Sequence, residues 1–211
     1  MAATAVRPWR WIALVAGIAV LVFAAILVVP ILTHENQGLS GQGAAEEPFP
    51  LTVTAVGDDG RTRSLAVASD PGDLDTSALA EGDRIVVSGS GYDAARGVCV
   101  AICVIPDDPS TKPGPCLGGV PSQDEQEQVE AGTVQYAPSN WINDDWAWRL
   151  FGARSFDDVE TGAFTAYLEV PSPVGEGVDC RSDACGIFTR NDHTALTDRV
   201  QDVHVPVAFA P

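Results

Sequence analysis

The chain is short of positive charge. Of its 211 residues 12 are Lys or Arg against 29 Asp or Glu, for a formal net charge of −17, and Lys112 is the sole lysine. A surface that binds nucleic acid needs clustered Lys and Arg to release counterions, so nucleic-acid partners are excluded. Catalytic signatures are missing as well: there is no G-x-S-x-G, no H-E-x-x-H and no phosphate loop. No catalytic residues and no cofactor are therefore expected. The acidic groups Asp58-Asp59, Asp70/Asp73/Asp75, Asp107-Asp108, Asp144-Asp145 and Asp157-Asp158 lack the D-x-[DN]-x-[DN]-G spacing of a calcium loop, and read as turn residues and solvated surface. His193 and His204 have no evident third ligand, so no metal is expected. Beyond residue 33 no strong amphipathic helical period exists, which turns the reading toward strands.

One long apolar run is present. Trp11 to Leu32 makes a helix of roughly 33 Å at about 1.5 Å per residue, enough to cross a hydrocarbon core near 30 Å. Arg7 and Arg10 precede it, while His34, Glu35, Glu46 and Glu47 follow; this asymmetry keeps the amino terminus inside. Residues 1–10 are expected in the cytoplasm, 11–33 as a signal anchor, 34–50 as a flexible Gly/Glu/Gln/Ala linker and 51–211 as one extracytoplasmic domain. A cleaved secretory signal is the competing reading. It fits less well, because the run exceeds 7 to 15 residues and closes on Pro-Ile-Leu-Thr-His-Glu without an adjacent A-x-A-like site. Either way the domain lies outside, in a compartment where five cysteines suggest two disulfides and one free thiol.

Leu51–Val56 and Ser64–Ser69 alternate around Gly57-Asp58-Asp59-Gly60, a hairpin pattern. Arg84–Ser88 is the next strand, and Val98–Ile105 is nearly continuous in apolar residues, as a core strand buried on both faces would be. Residues 106–129, dense in Pro, Gly, Asp and Gln, read as a loop. Thr133–Ala137 is a candidate short strand, and Gly162–Val170, Cys185–Thr189 and Val203–Phe209 complete the set. Short strands with polar turns give an all-β class: an immunoglobulin-like antiparallel β-sandwich of about seven strands plus an N-terminal hairpin, behind one transmembrane helix.

Three blocks resemble the neocarzinostatin family, the immunoglobulin-like apoproteins of actinobacteria that carry enediyne chromophores. Ser77–Tyr92 (SALAEGDRIVVSGSGY) resembles the family's opening S-x-L-x-x-G-x-x-V-x-V-x-G-x-G strand. Val178–Cys185 resembles its V-D-C-x-x-x-x-C hairpin, with Cys103 at the first strand cysteine, and Val203–Ala210 resembles the closing strand. The resemblance implies disulfides Cys103–Cys116 and Cys180–Cys185, with Cys99 free. From the residues alone, Cys180 and Cys185 can close a small hairpin, whereas Cys99 and Cys103 share a strand face, so alternation leaves open which one meets Cys116.

The family holds its chromophore in a cleft between the sandwich and a two-stranded ribbon, floored by the first disulfide. In this chain Ile105 stands where the family's type member has tryptophan. The stretch from Val170 to Cys180 is shortened, and an insertion at about 117–161 brings in Trp141, Trp146, Trp148 and Phe151. The candidate ligand or partner contacts are therefore Ile105, Trp141, Trp146, Trp148, Phe151 and Phe188. Two roles compete for the insertion's aromatics. They either wall a site for an apolar small molecule or protein partner, or fold back over the sandwich with Trp146 and Trp148 on one strand face. Arg149 is expected to pair with Asp144 or Asp145, and Cys99 to behave as a small buried hydrophobe. The function expected is a non-catalytic, membrane-anchored binding module. The alternatives are an accessory subunit of a membrane or cell-envelope complex, or an enediyne-type binding protein.

Overall fold

In the computed structural model, residues 8–70, 72–119, 134–175 and 177–210 are described. The chain divides at Glu35 into two units, each taken by itself. The first is helix α1, Pro8–Leu32. Its stretch Trp11–Val29 has a mean hydropathy of 3.2 and is long and apolar enough to cross a membrane, a test that a signal sequence also passes. Thr33 closes it, giving both its amide and its hydroxyl to the Val29 carbonyl at 2.9 and 2.8 Å.

The second unit is the antiparallel sandwich. One sheet has the order β1 (Thr52–Val56), β2 (Thr62–Ser69), β3 (Arg84–Ser90), β6 (Phe164–Glu169). The other has the order β10 (Val203–Val207), β9 (Cys185–Asn191), β4 (Val98–Val104), β5 (Ser139–Ile142). Alternation decides which side chains meet between them. Val53, Leu65, Val67, Ile85, Val87, Phe164 and Leu168 from the first sheet share a core with Val98, Val100, Ile102, Ile187, Val203 and Val205 from the second. Gly89 belongs to this packing: a Cβ there would lie 2.2 Å from the Phe164 ring. Tyr92 seals one end, its hydroxyl 2.9 Å from Thr189 Oγ1. Arg63, fully buried on β2, is held by both oxygens of Asp59 at 2.9 and 2.5 Å. Burial works against the Asp59 charge, but the bonds from Arg63 and the Arg61 amide outweigh it and hold the carboxyl below its ordinary value.

The expected hairpin, core strand and last two strands are present, with four differences. The hairpin is no appendage, since β2 pairs with β3 along its length. Thr133 lies outside the described residues, and Val134–Ala137 is not a strand; only Ala137 bridges, to Leu168. The part of the insertion at 139–142 is β5, the edge strand of the second sheet, paired with Val98–Ala101 of β4. The remaining half of that β4 edge is taken by Gly114–Leu117, through Val104 N–H to Pro115 O at 3.0 Å and Leu117 N–H to Ile102 O at 2.8 Å. A small ribbon, β7 (Val174–Gly175) with β8 (Val178–Asp179), fills the shortened segment before Cys180.

The linker is the fourth difference. Instead of a free spacer over 34–50, residues 36–42 lie along the sandwich. Asn36 Nδ2 donates to Thr197 O at 2.8 Å and Leu39 N–H to Asp58 Oδ2 at 2.8 Å. Gln42 exchanges two hydrogen bonds with the His204 backbone at 2.7 and 2.8 Å. The Gln42 carboxamide thus serves the edge of β10 as a strand neighbour would, satisfying an N–H and a C=O that an edge otherwise leaves open.

Candidate functional site

The outward face of the second sheet carries the site. Register places Trp141 of β5 opposite Cys99 of β4, and Cys99 opposite Arg190 of β9, so these three side chains form one row across the sheet. The next row is Ser139, Ala101 and Phe188, continued by His204 on β10. Cys103 follows and is bonded to Cys116, while Cys180 is bonded to Cys185. Cys99 is the free cysteine among the described residues. Burial pushes its thiol up to about 11, although the Arg190 charge pulls the other way.

Above these rows lies a cleft of about 710 Å³. Cys99, Ala101, Ser139, Trp141 and Arg190 lie on its sheet side, and Lys112–Cys116, Gly152, Arg154, Asp192, His193 and Leu196 contribute from the surrounding loops. Its size falls in the range of small-molecule sites.

Asp192, buried at the end of β9, fixes the Trp141 wall. It accepts from Trp141 Nε1 at 2.8 Å, Asn143 Nδ2 at 2.9 Å, and the Thr194 amide and hydroxyl at 2.8 and 2.6 Å. Gly97 lets the carboxylate come this close, since a Cβ there would meet Asp192 Oδ2 at 1.8 Å. The rings of Trp141, His193 and Trp148 form a triangle, with centroids 5.5 Å apart for Trp141 and His193, 4.5 Å for Trp148 and His193 and 5.9 Å for the two indoles.

Trp148 sits on a single helical turn, α2 (Trp146–Arg149), which Asp145 starts by accepting from the Ala147 amide at 2.9 Å. The expectation of Trp146 and Trp148 on one strand face is thereby corrected. In a helix, positions two apart diverge, and Trp146 is 57% exposed while Trp148 leans onto His193. Phe151, also exposed, has its ring centroid 6.3 Å from that of Trp148. Trp146 lines a separate, more open hollow with Arg149, Leu150 and Phe156. Arg149 makes no ion pair with Asp144 or Asp145 among the described residues; Asp145 is turned to the helix start instead.

Of the sequence candidates, Trp141 and Cys116 line the cleft, and Trp148 backs it through contacts with Trp141 and His193. Phe188 is buried and stacks on His204 with centroids 4.5 Å apart, and Ile105 packs beside the same small cluster of Ala101, Cys103 and Phe188. Neither lines the cleft. Sequence reasoning missed Arg154, Arg190 and Asp192, and gave no role to Lys112. Arg190 was within reach, since it stands two residues after Phe188 on one strand and so on the same face. Among the described residues no three His, Cys, Asp or Glu side chains gather to hold a metal.

No family model matches the chain. No curated protein matches it significantly. Among solved structures, macromomycin is similar at 19% identity over 69% of this chain and 99% of its own, with a TM-score of 0.35.

Proposed function

We propose that this chain is a non-catalytic binding module, anchored by α1 with its sandwich on the outer side of a cell membrane, that takes an apolar small molecule into the cleft over β5, β4 and β9. One observation carries the reading: a 710 Å³ concavity has Trp141 as a wall, and Asp192 holds that indole by its N–H. A fixed aromatic wall, small Ala and Cys side chains below it and polar groups at the rim are what a site needs to bind and orient a flat apolar body. The apolar length of α1 and the positive residues before it support the anchored topology, amino terminus inside. Protease added to intact cells tests that topology by cutting the sandwich or leaving it whole.

The binding test is a titration of the full chain in phosphatidylcholine nanodiscs with 1-naphthalenemethanol, followed by tryptophan fluorescence. Saturable quenching that Trp141→Ala weakens by about tenfold, roughly 1.4 kcal/mol, is expected. Absence of saturation above empty nanodiscs overturns the reading. Docking of a membrane-complex protein is a second reading, favoured by the exposure of Trp146, Leu150 and Phe151 together on and after α2. A stoichiometric companion that is lost on Trp146→Ala substitution supports it.

A further inference from the structure

The cleft has the small Cys99 and Ala101 at its base, and around them it gathers charge of the sign that the chain otherwise lacks. Lys112, Arg154 and Arg190 all line it, a quarter of the 12 basic residues in a molecule of net charge −17. Elsewhere four of the seven arginines of the sandwich have carboxylates: Arg63 and Arg61 share Asp59, Arg181 has Asp179 and Arg199 has Asp202, while Arg84 lies over the Tyr136 ring and Arg96 and Arg149 make no ion pair among the described residues. None of the three cleft cations is in such a pair. Lys112 and Arg190 make no ion pair among the described residues, and Arg154 lies over the Tyr167 ring with its guanidinium carbon 5.0 Å from the centroid. Asp192 is the one carboxylate among the described lining residues, and its two oxygens already accept four hydrogen bonds.

Lys112 and Arg190 repel each other: the Lys112 ammonium is pushed down, first by desolvation and then by the charges of Arg190 and, from outside the cleft, Arg199, against smaller opposing pulls from Cys99 and Asp202. Repulsion of this kind is relieved by an anion, and a guanidinium offers a planar fork that fits a carboxylate or sulfonate. Resting on the cleft reading above, we propose that the ligand is a small aromatic acid. Its flat ring lies against Trp141 and Ala101, and its anionic group sits between Lys112 and Arg190.

Three probes of one size test this on the full chain in phosphatidylcholine nanodiscs: 1-naphthalenesulfonate, 1-naphthalenemethanol and 1-naphthylmethylammonium, each titrated by calorimetry against empty discs. The sulfonate is expected to bind at least about tenfold more tightly than the alcohol, and the ammonium more weakly than either. Lys112→Ala, at an exposed position, and Arg190→Gln each weaken the sulfonate at least about fivefold more than the alcohol, while Arg190→Lys, which keeps the charge without the fork, retains part of the preference. Equal binding of sulfonate and alcohol, or variants that weaken both alike, overturns the aromatic-acid assignment and leaves the apolar cleft standing. Failure of all three probes to bind overturns the cleft reading itself.

Discussion

The Trp141 indole N–H and the Asp192 carboxylate meet at 2.8 Å, joining edge strand β5 to the loop that follows β9. Asp192 serves three donor residues at once, so its loss strands buried polar groups of Asn143 and Thr194 as well as releasing the indole. Asp192→Ala is expected to cost about 2–4 kcal/mol in urea unfolding and to weaken 1-naphthalenemethanol binding about five- to tenfold. Unchanged affinity would mean that the Trp141 wall needs no such support.

Residues 38–42 are tied to the sandwich by main-chain and side-chain bonds, including Asp58 N–H to Leu39 O at 3.0 Å and Arg199 N–H to Gly38 O at 3.2 Å. Hydrogen exchange is therefore expected to be slow at Asp58, Arg199 and His204 and fast at Gly43–Glu47, with Gln42→Ala accelerating His204 about tenfold or more. Exchange at His204 as fast as at Glu46 would contradict the docking.

Cys99 is half-buried beneath the cleft, and its thiol is pushed up to about 11, so little thiolate exists at pH 7. Labelling of the folded chain by iodoacetamide is expected to be at least about a hundredfold slower than after unfolding without reductant, with one thiol modified per chain. Non-reduced peptide mapping is expected to recover Cys103 joined to Cys116 and Cys180 to Cys185. A peptide joining Cys99 to Cys116 would refute the pairing.

Two buried groups give opposite pH dependences. Asp202 is pushed up to about 6, chiefly by burial, with Arg199 at 2.9 Å opposing. The folded chain keeps this proton while the unfolded chain releases it near pH 4, so the stability Asp202 contributes is present below about pH 4 and lost as pH rises through 6. His204 is lowered to about 4 by burial beside Phe188. Its contribution is present above about pH 6.5 and lost as pH falls through 4. The two slopes largely cancel in the intact chain. Relative to it, His204→Phe is expected to lose about 2–3 kcal/mol of stability between pH 4 and 6, and Asp202→Asn to gain a similar amount, in urea titrations at stepped pH. Parallel curves for all three proteins would refute these assignments.

Legibility followed the length of the pattern. The β1–β2 hairpin and strands β3, β4, β6, β9 and β10 were readable because alternation or a continuous apolar run persists over five or more residues, and burial enforces it. Strand β5 and helix α2 are four residues each, too short for any period to register, and α2 depends on one capping contact from Asp145. The 36–42 segment reads as spacer because its docking uses Asn36 and Gln42 amides rather than apolar side chains. The cleft's cations come from a loop, the segment after α2 and strand β9, and no local pattern links Lys112, Arg154 and Arg190. Trp141 was legible as a candidate, but the carboxylate that aims it was not.

The most direct test is the indole region of a ¹H–¹⁵N spectrum of the full chain in nanodiscs during titration with 1-naphthalenemethanol. With Trp141 as the wall of the site, its indole resonance is expected to move and saturate while that of Trp146, in the separate hollow, stays in place. Movement of Trp146 with Trp141 unmoved, or no movement of either, would contradict it.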